Sequence, residues 1–283
     1  MPSETDSDTI RNMRTNCAIA GLCTALLILA QPSGSNPHIS LRSRVQPFKA
    51  VADWQEISID RQFQPKLTAL VLCDMWDHHW CKGAETRVGK LALKMSPVID
   101  ALRARGVLII HAPSETMEFY KDHPARLAML KIPQVDLPQA QEISSPPLPI
   151  DDSDGGCDTA EKPTKPVNRV WTRETSAIHI APGDLVSDKG QEVYSALRQR
   201  GIRTLLIAGV HTNMCVLNRG FAIKQMSKWG MPSILIRDLT DAMYNPRSAP
   251  FVSHAQGTEL VIEHIEKYWA PTVTSAELLR ALR

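Results

Sequence analysis

The chain has 283 residues, of which 43% are hydrophobic and 22% are charged. This composition is ordinary for a globular protein, and the length is sufficient for one large core or two small ones. The net charge of +2 arises from acidic and basic residues mixed along the chain. It gives no electrostatic case for nucleic-acid binding, so we expect a small-molecule partner.

The first 31 residues differ in composition from the rest. Arg11 and Arg14 precede an uncharged run at 17–30, and Gln31 and Pro32 follow it. A basic start followed by a short apolar run is the layout of a secretory signal peptide, and the run is shorter than the ~20 residues that span a bilayer. The pattern predicts export to the periplasm or the medium. An uncleaved N-terminal membrane anchor and an unstructured or buried tail remain as alternatives.

Residues 32–66 are mixed in composition and predict an extension laid over a domain at 67–283. Periodic structure begins with the continuous apolar run TALVLC, which is typical of a buried parallel strand. Strands and helices then alternate, which predicts an α/β fold, a three-layer α/β/α sandwich with a mostly parallel, Rossmann-like central sheet of about six strands. The further elements predicted are helices at 96–106, 188–200, 212–229 and 258–269, and strands at 107–110, 170–171, 204–208 and 233–236.

The regular pattern is interrupted at about 114–169. Seven prolines fall between Lys131 and Val170, and the acidic stretch DDSDGGCD lies among them. A segment of this length without its own periodicity is usually functional or mobile. We therefore interpret it as an insertion that covers the site.

Two of the six cysteines lie in the leader, and Cys81 and Cys157 lie in loop-like sequence. An exported chain meets an oxidising compartment, where these two could pair. Cys73 lies within the first apolar strand and is expected to be a core residue. The chain has no CxxC pair, so a structural zinc site is not expected.

Parallel α/β sheets carry their sites at the carboxyl ends of the strands. Asp74 follows the first predicted strand, His111 follows the second, and the segment GVHTNMCV follows a later one. Cys215 lies in that segment near the start of a predicted helix, where the helix dipole should lower the pKa of a thiol and give a nucleophilic thiolate. An inert buried cysteine is the alternative.

The segments VLCDMWD, GVHTNMCV and LIRDLTDAMYNP together resemble the isochorismatase-like cysteine hydrolase family, which includes the nicotinamidases. The resemblance covers about residues 68–279 apart from the insertion. It implies that Cys215 attacks a carbonyl carbon to form a thioester and that Asp74 accepts the thiol proton. It also implies a cis peptide bond between Val210 and His211, and an oxyanion hole formed by the backbone N–H groups of His211 and Cys215.

The resemblance fails at one position, because the family has a catalytic lysine where this chain has Arg173 in WTRETSAI. Arginine stabilises negative charge but does not donate a proton at ordinary pH. Three hypotheses follow. Arg173 acts electrostatically in a catalytic set of Asp74, Arg173 and Cys215; His211 or Lys189 transfers the proton; or activity is lost and the chain is a non-catalytic small-molecule-binding protein.

Nicotinamidases also hold a metal through an aspartate and two histidines. Candidate ligands here for zinc or another divalent ion are His79, His111 and His123, although their spacing does not reproduce the family motif. Alternatively, His79 and His111 line a substrate pocket together with Trp76 and Trp171. No other cofactor is expected.

These patterns together predict a cysteine-dependent hydrolase that cleaves a C–N bond in a small amide or related carbonyl compound. A binding protein that has lost catalysis is the alternative. An isochorismatase-type ether hydrolase is a third hypothesis, which the pairing of Asp74 with Cys215 disfavours. Related enzymes are often oligomeric, so a homo-oligomer is one hypothesis for this chain, whose oligomeric state the sequence leaves open.

Overall fold

The computed structural model describes residues 37–48, 52–162 and 169–283. The chain divides between Ser35 and Asn36 into two units, and all described residues belong to the second. The predicted signal peptide or anchor at 1–31 lies outside the described residues. Within the described ranges, no helix combines the length and apolar character needed to cross a bilayer.

A single mixed sheet of eight strands forms the centre of the described fold, in the order β2-β1-β8-β7-β6-β3-β4-β5. The six strands from β8 to β5 are mutually parallel, whereas β1 is antiparallel to both β2 and β8. The predicted α/β class is confirmed. The strands are β1 His38–Val45, β2 Gln55–Gln62, β3 Thr68–Cys73, β4 Leu108–Ala112, β5 Leu185–Val186, β6 Thr204–Val210, β7 Ser233–Asp241 and β8 Thr272–Val273.

Four of the eight strands, β1, β2, β5 and β8, have no predicted counterpart, and the first two come from the segment at 32–66, which was expected to lie over the domain. Its described part forms the hairpin β1–β2, which extends the sheet at one edge. The strand predicted at 170–171 is not present in the structure. The only pairing in that part of the described chain is an isolated antiparallel bridge between Trp76 and Glu174.

Helices cover both faces of the sheet and give three layers. α1 and α8 pack on one face with Leu70 and Leu72 of β3, and α4 to α7 pack on the other face with Val71. All six residues of β3 are buried, as expected for a central strand covered on both sides. The helices are α1 Lys82–Ala104, α2 Met117–Tyr120, α3 Pro124–Leu130, α4 Gly190–Gln199, α5 Cys215–Asn218, α6 Ile223–Lys228, α7 His254–Tyr268 and α8 Ser275–Ala281.

Helix α1 begins well before the predicted start at residue 96, and Pro97 lies inside it. A proline within a helix removes one backbone hydrogen bond and usually marks a first turn. Here the buried stripe of Val88, Ala92, Met95 and Ile99 runs through that position at spacings of three and four residues. Burial of this stripe against the sheet outweighs the local cost of the proline.

The single helix predicted at 212–229 is instead two short helices, α5 and α6. The backbone leaves the helical conformation at Arg219, with φ −63° and ψ 152°. Gly220 then approaches α4 so closely that a Cβ on Gly190 would lie 2.3 Å from the carbonyl oxygen of Gly220. This contact between two glycines ends α5 one turn after Cys215.

The described part of the insertion contains α2 and α3 and is otherwise irregular. A disulfide joins Cys81, just before α1, to Cys157 in the insertion, with the Cα atoms 5.7 Å apart. Gly156 has φ +70°, and a Cβ there would lie 2.2 Å from the carbonyl oxygen of Met243. The insertion is therefore held closely against the body of the fold at this point.

Candidate active site

Asp74 lies at the carboxyl end of β3 and is completely buried. Its Oδ1 accepts a hydrogen bond from the Ser114 backbone N–H at 2.7 Å, and its Oδ2 accepts one from Arg219 Nε at 3.1 Å. Burial raises the pKa of Asp74, and the positive charge of Arg219 opposes the shift. The Asp74 carboxylate is thus fixed by two hydrogen bonds and shielded from water, which suits a general base that accepts a proton.

Cys215 is the first residue of α5 and interacts directly with Asp74 and with the Arg219 guanidinium. Burial and then the negative charge of Asp74 raise the pKa of its thiol, opposite to the shift expected from the sequence. The thiol is desolvated and faces a carboxylate, and α5 has only four residues, so its dipole is too small to offset these two effects. The resting group is a neutral thiol next to a base.

Arg219 is the main feature that the sequence analysis missed. Although burial lowers its pKa, Asp74 and Cys215 raise it, so the guanidinium is firmly cationic. One signal was available, because residues four apart on a helix share a face and Arg219 follows Cys215 by four.

Arg173, by contrast, does not join the site. Its Nε lies 3.9 Å from Asp77 Oδ2, its guanidinium lies 5.3 Å from the centroid of the Phe119 ring, and half of its side chain is exposed. Its neighbour Glu174 is buried instead. Lys189, one of the two residues predicted to transfer the proton, is mostly exposed, and its Nζ lies 3.4 Å from Asp188 Oδ1.

A cavity of about 660 Å³ opens above Cys215 and Arg219. One side of it is a ring wall made of Trp76, Trp171 and His79. The two indoles stack with centroids 4.3 Å apart and planes at 14°, and the His79 ring lies 6.1 Å from Trp171 in nearly the same orientation. Further lining residues are Trp80, Glu115, Gly155, Arg169, Met214 and Met243.

The charges in this cavity compensate one another. Burial lowers the pKa of His79 to about 4 and that of His211 to about 3, so both rings are neutral near pH 7. Glu115 lies 3.1 Å from Arg169 and 3.8 Å from Arg219. The cavity therefore suits a neutral ligand with apolar, ring-like parts.

The loop that carries the proposed oxyanion hole is closely fixed. The Val210–His211 peptide bond is cis, as the resemblance implies. The carbonyl oxygen of His211 accepts from the N–H groups of Met214 and Val216 at 3.0 and 3.2 Å. The Cys215 amide lies in the first turn of α5, where an N–H has no acceptor within its own helix. Its role towards a substrate oxygen stays a prediction.

The three candidate metal ligands are not brought together. His111 is fully buried below the ring wall, with Nδ1 2.7 Å from Glu174 Oε2 and Nε2 3.1 Å from Asp184 Oδ2, so it neither lines the cavity nor has a nitrogen available. His123 Nδ1 accepts from the Ala125 N–H and caps α3, while His79 belongs to the ring wall. Among the described residues, only one cluster brings three potential metal-ligand atoms within 4.8 Å of one another. It consists of Cys81, Cys157 and Glu161, and its two cysteines form the disulfide. The residues predicted for a metal therefore do not fit one.

No protein-family model matches the chain, and no curated protein matches it either. Solved structures do. A cysteine hydrolase from Pseudomonas syringae pv. phaseolicola 1448A is 18% identical, with a TM-score of 0.49, over 78% of this chain and 94% of that chain. A putative isochorismatase from Burkholderia xenovorans LB400 is 16% identical, with a TM-score of 0.47, over 76% and 86%. The nicotinamidase PncA from Bacillus subtilis is 17% identical, with a TM-score of 0.37, over 70% and 94%.

Proposed function

We propose that the chain is an isochorismatase-like cysteine hydrolase that cleaves a C–N bond in a small, neutral amide through a thioester on Cys215. One observation carries the proposal. A buried carboxylate, a thiol and a guanidinium, those of Asp74, Cys215 and Arg219, are in mutual contact beside a cavity lined with aromatic rings. A nucleophile next to a base that is itself held by a third group is the arrangement used for acyl transfer.

In the first half of the proposed reaction, the Cys215 sulfur attacks the amide carbonyl carbon while its proton passes to Asp74. The tetrahedral intermediate carries its negative charge on the former carbonyl oxygen, towards the amides of His211 and Cys215. The C–N bond then breaks, and protonated Asp74 gives its proton to the leaving nitrogen. Each preorganised donor to such an oxyanion lowers the activation barrier by about 3 kcal/mol.

In the second half, a water molecule attacks the thioester carbon and Asp74 accepts a proton from it. The C–S bond breaks, the carboxylic acid leaves, and the proton returns to the Cys215 sulfur. The net reaction consumes one amide and one water and releases an acid and an amine or ammonia.

Arg219 supports both halves without donating a proton, because arginine does not deprotonate at ordinary pH. Before attack, its charge favours the ionised form of Asp74. After the proton has moved, the same charge compensates the anion that develops at sulfur and oxygen. The alternative of a binding protein rested on the missing lysine, and a cation beside Asp74 and Cys215 removes that reason.

The test is a screen of the purified protein against nicotinamide, ureido compounds and aliphatic amides, measuring release of ammonia or amine. With any substrate found, hydroxylamine should trap the acyl group as a hydroxamate, and acid quenching should give an acylated Cys215 by mass spectrometry. Cys215→Ala should abolish both signals. Cys73→Ala, which changes the other free cysteine of the described chain, should retain them. Turnover by folded Cys215→Ala would rule out the thioester.

A further inference from the structure

A cluster of buried charges lies directly below the ring wall. His111, at the end of β4, is fully buried, and Glu174 and Asp184 are each less than 5% exposed. The two ring nitrogens of His111 face one carboxylate each, at 2.7 and 3.1 Å. Arg103 of α1 donates to both oxygens of Asp184, at 3.0 and 2.8 Å.

This geometry fixes the protonation of His111. An ionised carboxylate only accepts hydrogen bonds, so a ring between two carboxylates carries a hydrogen on both nitrogens and is cationic. Burial alone would lower the pKa of His111, but Glu174 and Asp184 raise it to about 9. The Tyr120 hydroxyl accepts from the Glu174 N–H at 2.9 Å, and burial raises its pKa, so it stays neutral. With Arg103, the cluster balances two positive and two negative charges.

Glu174 connects the cluster to the ring wall through its backbone. It forms the antiparallel bridge with Trp76. Next to this bridge, the Thr175 N–H donates to the Met75 oxygen at 2.8 Å. Trp76 in turn stacks on Trp171. The backbone of Glu174 is therefore one of the contacts that position Trp76, which also donates from its indole nitrogen to the Ser114 oxygen at 3.2 Å.

We propose that His111 is a positioning residue, whose positive charge compensates the buried Glu174 carboxylate and thereby fixes the ring wall against which the substrate packs. The statement about substrate rests on the proposed function; the statement about the wall does not. Without the cation, burial of the Glu174 carboxylate becomes strongly unfavourable. The segment around Glu174 then moves towards water, and the contact between Trp76 and Trp171 is lost.

The first experiment measures the wall itself and needs no substrate. Two stacked indoles give an exciton couplet in the far-ultraviolet circular dichroism spectrum, and loss of part of it in Trp76→Phe identifies the contribution of this pair. His111→Gln, which keeps a polar side chain but removes the charge, should lose the same part. His111→Gln/Glu174→Gln, which removes the opposite charge as well, should regain it. His264→Gln, a change at another buried histidine, should leave it unchanged.

The second experiment uses steady-state kinetics with a ring-bearing amide such as benzamide and with acetamide. His111→Gln should raise KM for benzamide by about tenfold, change kcat by less than about twofold, and leave KM for acetamide unchanged. A role confined to general stability would not separate the two substrates in this way. If the wild-type protein hydrolyses no amide, the proposed function fails, while the couplet still tests His111.

Folded His111→Gln with an intact couplet would overturn the proposal. If His111→Gln does not fold, the variant His111→Gln/Glu174→Gln tests the proposal instead. A folded double variant with the couplet supports charge compensation, and a folded double variant without it contradicts it.

Discussion

Arg219 and Cys215 lie one helical turn apart, and both side chains meet the same carboxylate, that of Asp74. In the family that the motifs resemble, the cation comes from a lysine in a different segment, at the position of Arg173 in this chain. Here that position faces the surface, and the cation lies at the end of α5 instead. The charges of the proposed site are retained while the segment that supplies the cation differs.

This difference leads to a prediction about two arginines. Arg219→Gln should lower kcat/KM by about 10²-fold or more, because it removes a desolvated charge next to the reacting atoms. Arg219→Lys should recover part of the loss. Arg173→Gln serves as the matched control and should stay within about twofold of wild type. A large loss in Arg173→Gln together with a small one in Arg219→Gln would reverse the assignment.

The raised pKa of the Cys215 thiol predicts an unusual effect of Asp74. Asp74→Asn removes the negative neighbour but leaves Arg219, so the pKa of the thiol should fall. At about pH 8, alkylation of Cys215 by iodoacetamide should therefore become faster, by about tenfold for each unit of pKa. Hydrolysis should be lost in the same variant because the base is gone. The measurement is the rate of modification of the Cys215 peptide by mass spectrometry.

Asp77→Asn is the control for this experiment, since the Asp77 carboxylate is held by Thr172 rather than by the thiol. Its alkylation rate should equal that of wild type. Slower alkylation in Asp74→Asn would mean that the carboxylate activates the thiol in the resting protein.

His111 should also make stability depend on pH. Its pKa is about 9 in the folded chain and 6.5 for a free histidine, so the folded state binds the proton more tightly. The resulting stabilisation, up to roughly 3 kcal/mol, is fully present below pH 6.5 and is lost as the pH rises through 9. Urea unfolding at several values across this interval should show the decline in wild type and a flatter profile in His111→Gln.

His264→Gln is the control for the pH profile. Burial lowers the pKa of His264 to about 4, so its titration falls outside the interval. The decline should persist in this variant. A decline equally steep in His111→Gln would show that another group causes it.

The dispersed histidines predict how the protein responds to chelators. His79, His111 and His123 are engaged in three separate places, so EDTA should leave the rate of amide hydrolysis within about twofold of its starting value. Metal content measured by mass spectrometry before and after treatment gives the comparison. Activity that is lost with EDTA and restored by zinc would require a ligand set other than these three.

The central strands could be predicted from the sequence because β3 and β6 are continuous apolar runs ending in turn-forming or polar residues. Asp74 and Cys215 follow those strands, and neighbouring parallel strands bring their ends together. The predicted start of α1 at residue 96 is wrong because a proline such as Pro97 usually marks the first turn of a helix. The packing of the buried stripe against the sheet, which continues the helix through Pro97, is a long-range contact that the local sequence does not indicate.

The spacing from Cys215 makes Arg219 a candidate, but the final positions of Arg219 and Arg173 do not follow from the sequence, for a related reason. The side on which Arg173 lies depends on the bridge between Trp76 and Glu174, two residues far apart in the chain. The end of α5, and with it the position of Arg219, depends on the contact of Gly220 with Gly190. Local propensity contains no information about either contact, because each is decided by tertiary packing.

Because the disulfide between Cys81 and Cys157 fixes one side of the cavity, the rigidity of the cavity depends on whether the chain matures in an oxidising or a reducing compartment. It closes a loop of 76 residues and fixes Gly155, which lines the cavity, two positions away. A reducing cytosol keeps cysteines as thiols. There, this side of the cavity would be held by non-covalent contacts such as those of Arg87 with Asp158 and of Asn213 with Asp152. Protein produced in such a host and protein matured under oxidising conditions should therefore differ in substrate affinity, although their sequences are identical.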